Sequence, residues 1–142
     1  MKPLSALCAI ALFALPAALS AESWEEVDRL PGDIAVELDS QSVSKAQDGT
    51  AQVVLASFRK QLPNGMMQTD VAVDCAGQAA KIRGIQLLQE GKVVTSSSTP
   101  GAEFRPVNYG SSEAIYYKAL CGREIPVPDT AEGDTAEGET AE

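Results

Sequence analysis

Two cysteines constrain this chain more than any other pair of residues. Cys75 ends the alternating run DVAVDC that begins at Asp70, and Cys121 ends the run KALC, whose apolar spacing is that of a helix. A bond between them would staple two segments far apart in sequence, but disulfides persist only where the surroundings are oxidising. The N-terminus bears on that condition. Lys2, an apolar run from Leu4 to Ala18 and small residues at Ala18, Ser20 and Ala21 have the three-part layout of a secretory signal peptide, too short and too Ala-rich for a membrane span. Residues 1–21 are therefore expected to be removed, with cleavage after Ser20 or Ala21. The rival is a lipoprotein signal using Cys8, but Leu7 stands where Gly or Ala is expected. Cys8 then leaves with the signal, and the exported chain keeps Cys75 and Cys121 as an even pair.

The other end differs in kind. DTAEG, DTAEG and ETAE, from Asp129 to Glu142, form an imperfect repeat of acids and small residues with no base. Such a composition buries too little apolar surface to offset its ordering entropy, which predicts a disordered acidic tail over 129–142. The repeat has neither the ligand spacing of an EF-hand nor the paired glycines of a calcium-binding β-helix. Most of the net charge of -9 belongs to this tail, so the body over 22–128 is only mildly acidic. Nothing in that balance points to nucleic acid.

The body is long enough for one core, and its segments read mostly as strands. IAVEL, from Ile34 to Leu38, alternates with Ile34, Val36 and Leu38 on one face. Thr50 to Leu62 is a longer alternation; Pro63, Asn64 and Gly65 supply turn chemistry before GMMQTDVAVDC runs back, which predicts a long antiparallel hairpin. In its second arm Met67, Thr69, Val71, Val73 and Cys75 share a face, putting Cys75 on the core side. Two further strands follow around Glu90 and Gly91. Alternation fails across Gly84, where Ile82 falls opposite Ile85 and Leu87, so a β-bulge is expected there, leaving Lys81, Arg83 and Gln86 toward solvent. SSEAIYYKALCG then changes period. Ser111 or Ser112 is placed to cap a helix, Gly122 to close it, and Ile115 and Leu120 to pack it on the sheet.

A helix laid across the sheet would carry Cys121 to Cys75. The roughly 47 residues so closed correspond to about 4 kcal/mol of stabilisation in the chain-entropy picture. The alternatives are two reduced, buried thiols or a redox pair. The second lacks CxxC spacing, and Asp74 beside Cys75 would oppose the thiolate.

Trp24 shortly after the signal, VELDSQSV, the strand ending in VDC, and FRPVNYGSSEAIYYKALC together resemble the surface-adhesin protein E family of Gram-negative bacteria. The resemblance spans Ser23 to Gly122; the chain departs from it with Phe104 where a Trp is expected and Tyr109 near a usual Pro. It implies an α+β fold, a single antiparallel sheet of about six strands with a C-terminal helix packed on it and tied by one disulfide. It also implies attachment to host extracellular-matrix proteins.

The chain has no His, which removes the Ser-His-Asp and Cys-His nucleophiles and the usual neutral-pH base. Asp70 and Asp74 share a strand face, but four strand residues set them roughly 13 Å apart, beyond either glycosidase separation. They read instead as a solvated strand face. No phosphate loop and no clustered metal-ligand spacing occurs, so no enzyme activity, cofactor or metal is expected. What remains is an exported module binding a protein ligand, adhesin-like toward matrix or cell-surface ligands, with Lys81, Arg83, Lys92, Arg59 and Lys60 as the basic residues available to meet acidic partners. The reading favoured for these residues is that, scattered on solvent-facing strand positions, they blunt strand edges and keep the protein soluble. The alternative role is a soluble periplasmic accessory protein binding an envelope component. The expected location is accordingly the periplasm, or the cell surface or the secreted fraction. Trp24 is expected to be a core or sheet-packing residue rather than a ligand contact.

Overall fold

A computed structural model describes residues 24–127. The expected signal peptide, Cys8 and the acidic tail lie outside the described residues. Eight antiparallel strands form one sheet: β1 (Trp24–Leu30), β2 (Ile34–Asp39), β3 (Ser44–Asp48), β4 (Ala51–Leu62), β5 (Gly65–Asp74), β6 (Ala79–Gln89), β7 (Lys92–Ser98) and β8 (Arg105–Pro106), followed by one helix, α1 (Ser112–Cys121). Six of them run in the order β1-β2-β4-β5-β6-β7, while β3 attaches to β4 and β8 to β6. The strand count therefore exceeds the expected six.

The extra strands carry little apolar signal. Ala46 is the half-buried residue of β3 and its neighbours are exposed. The strand forms because β2 leaves β4 after pairing Leu38 with Phe58, and the first half of β4 takes β3 as a new partner from Leu55 onward. Side chains bridge the handover. The Asp39 carboxylate accepts the Gln41 N–H at 3.0 Å and opens a 3-10 turn over Ser40–Ser42. The Ser42 hydroxyl then donates to the Asp39 carbonyl at 2.7 Å and accepts the Ser57 N–H at 2.8 Å. A hydroxyl thus stands in for strand backbone where β4 passes between partners, leaving no orphan donor. β8 is two residues long and pairs with Ala79 and Ala80 at the start of β6.

The predicted bulge is present. Ile82 lies opposite Val71 and Gly84 opposite Asp70, so Arg83 is the extra residue. That insertion puts Ile82, Ile85 and Leu87 opposite Val71, Thr69 and Met67, all on one face. On that face Val36, Ala56, Phe58, Val71, Val73 and Ala80 are buried in a single cluster.

Helix α1 covers it. Ser111 caps the start, its hydroxyl accepting the Ala114 N–H at 3.3 Å, and Gly122 ends it in the left-handed region at φ 65, where a residue without Cβ pays least. Ile115 and Leu120 pack against the cluster as expected, yet the two tyrosines go deeper, with Tyr116 5% and Tyr117 3% exposed. The Tyr116 ring meets Phe58 at 4.5 Å between centroids, and the Tyr117 hydroxyl donates to the Cys75 carbonyl at 3.2 Å. Burial raises the Tyr116 phenol above its ordinary range, an effect opposed by the Thr69 hydroxyl. Cys75 and Cys121 form a disulfide with their Cα atoms 5.6 Å apart, tying the end of α1 to the end of β5.

Candidate binding surfaces

Among the described residues no helix lies on the opposite face of the sheet. Register places Glu37 opposite Arg59, Ser57 opposite Asp70, and Ala72 opposite Lys81 on this side. The five expected basic residues do not converge there. Arg59 is 26% exposed; its Nε sits 2.8 Å from Glu37, and its guanidinium lies 4.3 Å from the centre of the Trp24 ring. This cation–π contact and ion pair spend Arg59 on fixing β1, β2 and β4 together. Trp24 therefore packs on the sheet, on the face away from the core.

Lys81 departs from its expected solvent position. Its side chain is only 12% exposed, ion-paired to Asp48 and 4.6 Å from the centre of the Phe104 ring. The physical reason is local. Strand alternation places Lys81 on the open face, but the β3–β4 turn brings Asp48 and the segment before β8 brings Phe104, and the two roof it. Lys60, next to Arg59, takes the opposite face of β4 and is half-buried. Arg83 and Lys92 are exposed and have no acidic partner among the described residues. Lys92 sits at the β6–β7 turn, opposite Gln89.

The two carboxylates expected as a solvated strand face are both committed. Asp74 Oδ1 accepts the N–H groups of Ala76 and Gly77 at 3.1 and 2.9 Å and so builds the turn after β5. Asp70 Oδ1 accepts the Ser57 hydroxyl at 2.6 Å.

Two features of this region go beyond the sequence reading, which expected a strand at β7 but not its full exposure. One is a groove of about 420 Å³ crossing the open face, lined by Ser57, Asp70, Arg83, Gln86, Ser96 and Ser98 among others. Gly84 lies at its floor, where an added Cβ would stand 3.3 Å from the Ser97 carbonyl and 3.7 Å from Asp70 Oδ2, so glycine keeps the groove open. The other is β7, all seven residues of which are exposed, with Val93 at 52% and Val94 at 49%. For the groove and for the exposure of β7, a signal in the sequence is the uncharged run from Val93 to Ala102. Among the described residues no group of three His, Cys, Asp or Glu is placed to hold a metal ion, and no helix is long and apolar enough to cross a membrane.

Comparison with protein-family models, with curated proteins and with solved structures finds no match.

Proposed function

We propose that this chain is an exported, non-enzymatic module that binds a protein ligand, adhesin-like toward matrix or cell-surface components. The observation that carries the reading is the asymmetry of the sheet: one face is sealed by a disulfide-tied helix, and the other carries no helix among the described residues, is roofed only locally over Lys81 by Asp48 and Phe104, and leaves the outermost strand β7 exposed along its whole length. A rigid sheet with one open face and an unblocked edge is a common protein-docking platform. The disulfide is compatible with an oxidising compartment, and the residue pattern of a signal peptide supports export. The resemblance to surface-adhesin protein E supports the adhesin-like form of the reading.

The test has two arms. Protease shaving of intact cells, with a periplasmic marker as control, should remove the protein while the marker survives. The purified mature chain should then be retained on an immobilised extracellular-matrix preparation. Protection from protease until the outer membrane is opened, with retention on envelope proteins instead, would replace the adhesin role by the periplasmic one. Retention on neither would reject protein binding.

A further inference from the structure

Five adjacent strands each set a polar side chain in one band across the face away from the helix. Ser44 of β3 stands opposite Leu55, Ser57 of β4 opposite Asp70 of β5, and Gly84 of β6 lies between Asp70 and Ser98 of β7. Gln86 and Ser96 pair in the next row. All of them line the groove of about 420 Å³, a volume ordinary for a small-ligand site. The groove therefore runs crosswise to the strands, for roughly 19 Å from β3 to β7 at about 4.8 Å per strand.

Its centre is a prepared acceptor. The Ser42 hydroxyl accepts the Ser57 N–H at 2.8 Å, and the Ser57 hydroxyl donates to Asp70 Oδ1 at 2.6 Å, which fixes the carboxylate. Oδ2 accepts no hydrogen bond among the described residues. Gly84 keeps that oxygen reachable, since a Cβ there would stand 3.7 Å from it and 3.3 Å from the Ser97 carbonyl. The backbone does not ask for glycine at this position: Gly84 is not at positive φ, and the bulge places its extra residue at Arg83. What the missing side chain supplies is room beside Asp70.

The charges decide the class of occupant. Arg83 lines the same groove and forms no ion pair among the described residues, with Asp70 or with any other acid. An anion drawn to Arg83 meets Asp70, and a cation drawn to Asp70 meets Arg83; a neutral ligand meets neither repulsion. The remaining polar lining is hydroxyl and amide, groups that both donate and accept. A sugar is the neutral ligand whose own groups do the same, one hydroxyl donating to Asp70 Oδ2 while another accepts from Arg83. Half-buried Leu55, in the same lining, offers an apolar surface to the C–H face of a ring. A free amino acid would satisfy both charges but fill only a small part of a groove that spans five strands. A peptide adds to a sheet through backbone along an edge, whereas this groove offers side chains across the strands. We infer that the groove binds a short neutral oligosaccharide, with Asp70 and Arg83 as its central acceptor and donor. This goes beyond the protein-binding reading and does not depend on it.

The probes are cellotriose and maltotriose, titrated into the isotope-labelled mature chain, with the galacturonic acid trimer and the glucosamine trimer as anionic and cationic controls of equal length. At least one neutral sugar should shift the amide resonances of Asp70, Gly84 and Ser98 and bind more tightly than either charged trimer. Asp70→Asn keeps an oxygen for the Ser57 hydroxyl but removes the carboxylate, so it should weaken binding about tenfold in a folded chain. Gly84→Ala should weaken it at least as much by covering Oδ2. Arg83→Gln, on an exposed side chain, should also cost about tenfold, and it decides the matter if either other variant does not fold. Lys92→Gln, outside the groove, should change nothing. No shift with either neutral sugar, tighter binding of a charged trimer, or binding that Arg83→Gln and Asp70→Asn both leave intact would overturn the inference. Competition by the bound sugar separates the sources: displacement from the matrix preparation assigns the ligand to a matrix glycan, displacement from envelope polysaccharide to the envelope, and displacement from neither to a free oligosaccharide.

Discussion

β5 and β7 lie on either side of β6 and are each paired with it in antiparallel register, yet their side chains share almost nothing. Thr69, Val71, Ala72 and Val73 of β5 are buried, whereas every residue of β7 is exposed. The same backbone ladder is therefore held in two ways. In β5 the register is set by what the side chains bury, since a slip of one residue would turn Val71 and Val73 out of the core. In β7 the ladder, the hairpin turn and the bulge at Val94 do that work, leaving the side chains and one row of backbone groups uncommitted. A sheet built this way separates stability from contact: the middle carries the first, and the edge is available for the second.

The largest effect that would test this division is at Phe58, 1% exposed and packed against the tilted ring of Tyr116. Phe58→Ala should cost about 4 kcal/mol, the transfer loss plus the cavity left behind. Urea denaturation measures it, and a loss below about 1 kcal/mol would mean the covered face is not the stabilising one. Replacing Cys75 and Cys121 together by Ala should cost about as much, about 4 kcal/mol, through the freed unfolded chain. Amide exchange should quicken first in α1, the element the bond ties down. Equal acceleration in β7 would show that the edge depends on the staple as well.

Much of the covered half was legible. Alternation in β5, the bulge beside Gly84, the caps at Ser111 and Gly122 and the pairing of Cys75 with Cys121 are all local or pairwise signals, and the structure carries each of them. Features set by topology were less so, in both halves. β3 has no apolar alternation because its task is to complete β4, and the depth of Tyr116 and Tyr117 follows from how α1 lies on the sheet rather than from hydropathy. Lys81 shows the limit most clearly. Its alternation reads as solvent-facing, but the roof over it comes from Asp48 and Phe104, which only the folded topology brings near. Arg83, two residues on, has no such roof.

That pair supplies the next test. Lys81→Glu sets a carboxylate against Asp48 in a nearly enclosed position and should cost about 2 kcal/mol, lowered from the cost of a fully buried pair because Asp48 is 43% exposed. Arg83→Glu should change stability by no more than about 0.5 kcal/mol. Similar losses at the two positions would show that Lys81 is solvated and that the open face has no built structure around it.

The smallest predicted effect bears most directly on the contrast between the two strands. Val93→Ser removes a large apolar side chain that is already 52% exposed, so little area returns to water, and stability should fall by about 0.5 kcal/mol or less. The same kind of change at Val73, which is fully buried, leaves a polar group without water and a cavity around it, and should cost several times more. The ratio of the two, from paired denaturation curves, is what measures the division of labour in the sheet. A ratio near one would mean that β7 is held by its side chains after all, and an edge so held would have to give up part of its stability to accept another strand.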